Sequence, residues 1–247
     1  MPLAEAIDLL EGLRAPGEEQ GAPPGIAVHF ANAYNVALAR NDHPYARLLA
    51  HGDYVFSDGV PITWVGRRAY PDVADEWTRV YGPDVMQGVL GRSSSGGPRH
   101  YLLGGSQDTL TTLAARIAVD YPDAEVVGAE SPPFSPPTVP DLVARDHRIS
   151  ASGATHVWVG LGTPKQDVEV RRLADSLPVV ALAVGAAFDF LAGTKPQAPE
   201  WMQRSGVEWA FRLASEPRRL GRRYVWGNTV FLEEAARTLA SARQRRD

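Results

Sequence analysis

The chain has 247 residues and no cysteine. This absence excludes disulfide bonds, thiolate zinc sites, iron–sulfur clusters held by cysteine and a cysteine nucleophile. Lysine is scarce, because only Lys165 and Lys195 are lysines among the 25 basic residues. Long apolar runs are absent too: the most apolar stretch, 178–193, contains Asp189 and is too short to span a bilayer. Residues 1–14 lack a basic n-region, so we expect no signal peptide.

The charge is unevenly distributed along a chain of ordinary globular composition. The formal net charge of −4 argues against general nucleic-acid binding, and we expect no nucleic-acid partner. Residues 216–247 nevertheless hold eight arginines against four acidic side chains, so a basic tail follows an acidic body. Such a tail indicates an anionic partner. A solvated basic helix end is the alternative interpretation.

Short apolar runs alternate with helical patterns along most of the chain. We predict strands at 26–31, 54–57, 100–103, 125–128, 155–160 and 179–184. This alternation predicts an α/β fold with a Rossmann-like, mostly parallel sheet flanked by helices. After residue 193 only helical patterns follow, near 199–214, 217–224 and 229–244. We therefore expect an N-terminal extension (1–25), an α/β catalytic core (26–195) and a helical, basic C-terminal appendage (196–247).

Polar side chains follow the first two predicted strands. Asn32 comes after the first, and Ser57-Asp58-Gly59 ends the second. Ligands of open parallel sheets bind beyond the carboxyl ends of the strands, so these residues are candidates for a site. A carboxylate in this place can serve as a general base. The alternative is that Asp58 caps the following helix.

Three loops rich in small residues follow later strands: Gly104-Gly105-Ser106, 160–166 and 185–189. The first lacks the full spacing of a phosphate-binding motif, and a tight turn is the alternative. The second holds Gly162, Lys165 and Gln166 and is a plausible nucleotide-binding loop. In the third, Asp189 is placed to act in catalysis, to cap a helix or to pair with Lys195.

Metal chemistry has little support in the sequence. The six histidines are scattered without the spacing of a metal site. The Asp-x-Asp pair, which commonly holds a divalent ion on a nucleotide diphosphate in sugar transferases, does not occur. We therefore predict no metal site, and we expect arginine side chains to bind any diphosphate.

Taken together, these clusters resemble the WecG/TagA/CpsF glycosyltransferases (glycosyltransferase family 26). The similarity runs from about residue 26 to 226 and is carried by an ordered set of motifs: Ser57-Asp58-Gly59-Val60-Pro61, Arg79-Val80-Tyr81-Gly82-Pro83-Asp84, Gly160-Leu161-Gly162-Thr163-Pro164-Lys165-Gln166, Gly206-Val207-Glu208-Trp209 and Glu216-Pro217-Arg218-Arg219. Three positions depart from the family pattern. Phe30 stands where threonine is common, Asp167 replaces glutamate, and Gln197 replaces arginine.

The resemblance implies an inverting, metal-independent glycosyltransferase. A hexose or N-acetylhexosamine-type sugar would move from a UDP-sugar to a polyprenyl-diphosphate-linked sugar in cell-wall or surface polysaccharide synthesis. No cofactor is implied, because the UDP-sugar is a substrate. Asp58 matches the catalytic base. We assign donor or acceptor binding to Asn32, Arg79, Gly104, Gly162, Lys165, Gln166 and Asp189, and diphosphate binding to Arg212, Arg219 and Arg222.

The appendage of this family reaches the active site and the membrane surface. The resemblance therefore implies a cytoplasmic protein associated peripherally with the inner face of the cell membrane, and a homo-oligomer is left open. Tyr224, Trp226 and Phe231 lie among the tail arginines and suit an interfacial segment, or they pack onto the core instead.

Two other functions are alternatives to the glycosyltransferase. One is a non-catalytic UDP-sugar-binding protein of a polysaccharide assembly complex. The other is a different nucleotide-dependent α/β enzyme, such as an oxidoreductase, which the missing dinucleotide fingerprint disfavours.

Overall fold

The computed structural model describes residues 1–15 and 24–245, apart from the side chain of Arg219. Its strands are β1 (Ile26–Ala31), β2 (Tyr54–Ser57), β3 (Arg99–Gly104), β4 (Glu125–Glu130), β5 (His156–Gly160) and β6 (Val180–Ala183). They form one sheet in the order β2-β1-β6-β5-β3-β4, and every neighbouring pair is parallel. The predicted Rossmann-like α/β fold and all six predicted strands are confirmed.

Helices flank this sheet and continue past its last strand. They are α1 (Leu3–Gly12), α2 (Ala33–Asn41), α3 (His43–Ala50), α4 (Val60–Ala69), α5 (Gly82–Gly91), α6 (Gln107–Asp120), α7 (Val139–Ser152), α8 (Lys165–Ser176), α9 (Ala187–Leu191), α10 (Glu200–Ser205), α11 (Glu208–Ser215) and α12 (Pro217–Gln244). A 3₁₀ segment covers Pro71–Glu76. No helix in the described ranges is both long enough and apolar enough to cross a membrane.

The four central strands of the sheet are buried on both faces, whereas the edge strands β2 and β4 are partly exposed. Successive side chains of a strand point to opposite faces, and β5 shows the consequence. Trp158 belongs to the apolar cluster with residues of α1, α5 and α6, whereas Val157 and Val159 belong to the cluster with α7 and α8. This arrangement explains why central strands such as β5 and β6 are apolar rather than alternating.

Helix α1 lies in the region that the sequence assigned to an N-terminal extension. Its residues Ala6, Ile7 and Leu10 are buried in the cluster that also contains side chains of α5. The carbonyl of Leu10 lies 2.8 Å from Nε2 of His156 on β5. The first helix therefore packs against the sheet core, while the proposed division of the chain into three domains stays a prediction.

The helices of the appendage differ from their predicted bounds. The predicted helix near 199–214 is two helices, because Gly206 adopts a φ of +78° and ends α10. The predicted break between 217–224 and 229–244 is wrong, since α12 is continuous. Gly227 lies in that region and permits close packing: a Cβ there would lie 2.9 Å from the Tyr34 ring on α2.

Candidate active site

A cavity of about 980 Å³ lies at the carboxyl edge of the sheet, which is a size typical of small-molecule sites. All six strands contribute to it through their last residues or the loops that follow. In chain order, its lining includes Asn32, Asp58, Ser106, Glu130, Gly162 and Ala186. The appendage adds Arg212 and Arg223. The structure therefore gathers the separate polar clusters of the sequence around one site.

Asp58 stands at the end of β2 and is held by hydrogen bonds on three sides. Its Oδ1 accepts the N–H of Gly82, the first residue of α5, at 3.0 Å. Its own N–H donates to the carbonyl of Ala31 at 2.8 Å, and its carbonyl accepts from Nε of Arg79 at 3.1 Å. The following helix, α4, has Gly59 as its N-cap and no side-chain cap. The alternative that Asp58 caps the next helix is therefore wrong.

The carboxyl group of Asp58 has an elevated pKa, raised from 3.8 to about 6. Burial is the main cause, because desolvation disfavours the charged form. The hydrogen bond from Gly82 opposes this rise, the negative charge of Glu208 adds to it, and Arg79 and Arg212 oppose it. A carboxylate with this pKa is mostly ionised at neutral pH and still accepts a proton readily, which suits a general base.

A cluster of Arg79, Tyr81 and Glu208 adjoins Asp58. The Tyr81 hydroxyl donates to Oε1 of Glu208 at 2.7 Å, and Nη2 of Arg79 donates to Oε2 at 3.2 Å. The Arg79 guanidinium carbon lies 3.9 Å from the centre of the Tyr81 ring, a cation–π contact. Tyr81 lines the cavity, but Arg79 lies outside the lining and instead supports Asp58. The assignment of Arg79 to substrate binding stays a prediction.

Asn32 and Gln166 both line the cavity and shape its loops. Oδ1 of Asn32 accepts the N–H of Tyr34 at 3.0 Å, so Asn32 caps α2. Oε1 of Gln166 accepts the N–H of Gly162 at 3.0 Å, and its Nε2 donates to the Ala183 carbonyl at 3.1 Å. The side chain of Gln166 thus fixes the loop after β5 against β6.

Three further predicted positions, Gly162, Lys165 and Gly104, differ in whether they line the cavity. Lys165 begins α8 and lines the cavity, as does Gly162. Gly104, in contrast, lies outside the lining and has a φ of +126°. A Cβ on Gly104 would come within 2.6 Å of the Gly160 backbone, so glycine is needed for the approach of β3 to β5. Ser106 caps α6, which fits the tight-turn alternative for this loop.

Asp189 lines the cavity and forms an ion pair. Its Oδ2 lies 2.8 Å from Nζ of Lys195. The N-cap of α9 is Ala186, so Asp189 does not cap that helix. Of the roles left open by the sequence, the structure contains the pairing with Lys195 and not the helix cap, while the role of Asp189 in substrate binding or catalysis stays a prediction.

The structure selects among the arginines of the appendage. Arg212 lines the cavity, with its guanidinium carbon 5.6 Å from the centre of the Phe190 ring. Arg222 is exposed and lies outside the lining, whereas its neighbour Arg223 lines the cavity and stacks 4.0 Å from the centre of the Tyr34 ring. The side chain of Arg219 lies outside the described part of the structure.

Sequence reasoning missed three residues of this site: Arg223, Tyr81 and Glu208. Arg222 and Arg223 are adjacent, and spacings of three and of four residues both bring helical side chains together, so the sequence does not favour Arg223 over Arg222. Tyr81 and Glu208 both lie in motifs quoted above, but they are 127 residues apart in the chain, so no local pattern shows that they meet.

The opposite end of the cavity is lined by charged side chains that the sequence did not single out. Arg145 donates from Nε to Glu130 at 3.0 Å and from Nη1 to Glu169 at 2.9 Å. Arg148 lies 2.9 Å from Glu130. The proline-rich loop 131–137 closes this end. The cavity thus has one end around Asp58 and the appendage arginines, and another with paired charges.

An open parallel sheet with a large cavity at its carboxyl edge defines a Rossmann-like α/β protein with a ligand site at the usual place. Among the residues of 1–15 and 24–245, no group of three or more histidines, aspartates and glutamates is placed to hold a metal ion.

The chain matches the model of the glycosyl transferase WecG/TagA/CpsF family over residues 3–245, and it belongs to that family. It is therefore a glycosyltransferase of cell-wall polysaccharide synthesis. The match also extends beyond the range of about 26–226 recognised from motifs, and it includes α1.

Proposed function

We propose that the protein transfers a hexose or N-acetylhexosamine-type sugar from a UDP-sugar to a sugar carried on polyprenyl diphosphate, with inversion at the anomeric carbon. The observation that carries this proposal is the placement of Asp58. It is a desolvated carboxylate in the lining of a large cavity, with cationic side chains in the same cavity. A general base and cations beside one cavity are the two kinds of group that such a transfer needs, and this supports the proposal.

Asp58 acts as the general base in this proposal. Gly82 occupies Oδ1, and no described residue donates a hydrogen bond to Oδ2. Oδ2 then takes the proton of the acceptor hydroxyl while the hydroxyl oxygen attacks the anomeric carbon of the donor sugar. The bond from that carbon to the UDP oxygen breaks, and direct displacement inverts the configuration. Base catalysis of this kind typically contributes about 10²–10⁴ in rate.

The departing UDP gains negative charge, and we assign its stabilisation to Arg212, Arg223 and Lys165. All three line the cavity. A guanidinium binds phosphate oxygens in a bidentate manner, and a preplaced cation stabilises developing charge in the transition state. On this proposal the leaving group needs no divalent ion and no cofactor takes part.

The appendage is also our proposed contact with the membrane. Its exposed apolar side chains Val225 and Leu232 and the half-exposed Trp226 suit insertion at a lipid surface near basic residues. Phe231, in contrast, is buried, so this member of the predicted aromatic group packs onto the core. A protein held at the inner face of the membrane would meet its lipid-linked acceptor there.

A transfer assay with purified protein tests the proposal. A panel of UDP-sugars is incubated with a short-chain polyprenyl-diphosphate sugar in the presence of EDTA, and the product is analysed by mass spectrometry and NMR. We expect one UDP-sugar to give an inverted glycosidic linkage at full rate in EDTA. Loss of activity in EDTA that Mg²⁺ restores would overturn metal independence, and transfer from no UDP-sugar would overturn the donor class.

A further inference from the structure

A continuous chain of buried hydrogen bonds lies beneath the cavity, and none of the roles above uses it. It runs through Asn35, Tyr45, Asp167 and His29, of which Tyr45 is 5% exposed and the other three are fully buried. Nδ2 of Asn35 donates to the Tyr45 hydroxyl at 2.7 Å. That hydroxyl donates to Oδ2 of Asp167 at 3.0 Å, and Oδ1 of Asp167 lies 3.1 Å from Nδ1 of His29.

Two members of this hydrogen-bond chain, Asn35 and Asp167, connect to loops that line the cavity. Oδ1 of Asn35 accepts the N–H of Asn32, which lines the cavity after β1, at 3.0 Å. Asp167 directly follows Gln166, whose side chain holds the N–H of Gly162 in the loop after β5. The chain of bonds therefore joins two loops that come from different strands and lie at the same cavity.

The direction of the central bond follows from the ionisation of its members. Burial and, next, the charge of Asp167 raise the pKa of Tyr45 well above its usual range, so the phenol keeps its proton and donates it. Nε2 of His29 is buried and has no hydrogen-bond partner among the described residues. A buried unsatisfied polar atom costs free energy, so packing alone does not account for a histidine here.

We propose that Asp167 is a positioning residue. Through Tyr45 and Asn35 it couples the placement of loop 160–166 to that of Asn32, and so fixes the width of the cavity between them. Binding groups work only when supporting residues hold them within about 0.5 Å of the productive geometry. The catalytic consequence rests on the proposed function, whereas the coupling between the loops does not.

Hydrogen exchange of two backbone amides tests the coupling. Tyr45→Phe removes one oxygen and breaks both central bonds. The reporters are the N–H groups of Gly162 and Asn32. The first is accepted by the side chain of Gln166, which directly precedes Asp167, and the second by the side chain of Asn35, a member of the hydrogen-bond chain. We expect both to exchange about tenfold faster, the factor that corresponds to one hydrogen bond of ordinary strength. Asp167→Asn is a second variant, and it keeps the shape of the Asp167 side chain. It should also accelerate exchange at the Asn32 amide, although Tyr45 and Asn35 separate that amide from Asp167.

The control is Ile117→Val, a buried substitution in the cluster on the other face of the sheet. This control shows how much amide exchange changes through general destabilisation alone. The two variants are compared at the same temperature difference from their own unfolding temperatures. If Tyr45→Phe accelerates these two amides no more than Ile117→Val does, the loops are not coupled and the proposal is overturned.

Kinetics then test the catalytic consequence. We expect Tyr45→Phe to raise the KM for the sugar-nucleotide donor about tenfold with a much smaller change in kcat, because the loops would bind the ground state and the transition state alike. Faster amide exchange with an unchanged KM would overturn the positioning role while leaving the proposed function intact. Absence of any transfer by the unmodified protein would instead overturn the proposed function, and the exchange data would still decide the coupling.

Discussion

The stability of an Asp58→Asn variant gives a sharp prediction from the structure. The carboxyl pKa rises from 3.8 to about 6 on folding, mainly through burial. The folded protein therefore binds a proton more tightly than the unfolded chain, so the free energy of unfolding falls as the pH rises between these two values. A shift of this size corresponds to about 3 kcal/mol of lost stability once the carboxyl is fully ionised.

The amide of asparagine avoids this cost and still offers an oxygen to the N–H of Gly82. Because a neutral acceptor binds that N–H less strongly than a carboxylate does, we expect a net stabilisation of about 1–3 kcal/mol at pH 7.5. Below the unfolded pKa of 3.8 the carboxyl is protonated in both states, so there the gain disappears.

Urea unfolding of both proteins at pH 7.5 and at a series of pH values down to about 4 measures this difference. Asp175→Asn is the matched control, because Asp175 is exposed and forms an ion pair with Arg171, four residues before it on α8. We expect this control to change stability by less than about 0.5 kcal/mol. A difference for Asp58→Asn that does not vary with pH, or a loss of stability at pH 7.5, would refute the reasoning that Asp58 is desolvated.

Three further predictions follow from the site and the fold. Glu208→Gln removes a negative charge that raises the pKa of Asp58, so the acid limb of the pH–rate profile should move to lower pH; an unmoved limb would contradict the electrostatic link. Arg223→Gln should weaken UDP binding about tenfold or more by calorimetry, while Arg222→Gln, on an exposed neighbour, should change it less than twofold; equal effects would refute the assignment. Gly104→Ala should lower stability by about 2 kcal/mol or more in urea unfolding, because its positive φ and the nearby β5 backbone leave no room for a Cβ.

Much of the sheet could be predicted from the sequence because its central strands are buried on both faces. Strands such as β5 and β6 are short apolar runs bounded by turn residues, and the sequence shows such runs locally. Helix ends were harder to predict. Gly206 has a φ of +78° and ends α10, whereas Gly227 lies inside α12 beside the Tyr34 ring, and no local sequence signal separates the two glycines. The role of a glycine depends on what packs against it.

The residues of the cavity were predicted only in part, because some of them meet through contacts between distant parts of the sequence. Residues at strand ends, such as Asp58 and Asn32, follow from the rule that ligands bind at the carboxyl edge of a parallel sheet. The partnership of Tyr81 with Glu208 depends on how α11 docks against the body, and no local pattern encodes that contact. The choice of Arg223 over Arg222 likewise depends on how α12 packs against the body, because both positions fit the same helical spacing.

The transfer rate of Asp58→Asn tests the central claim most directly. The measurement compares kcat of the variant, of Asp175→Asn and of the unmodified protein at pH 7.5, with UDP affinity measured on the same samples to show that the cavity is intact. We predict a loss of kcat of at least about 100-fold in Asp58→Asn only, with UDP affinity changed less than about threefold. A variant that keeps its full transfer rate would contradict the role of Asp58 as the general base.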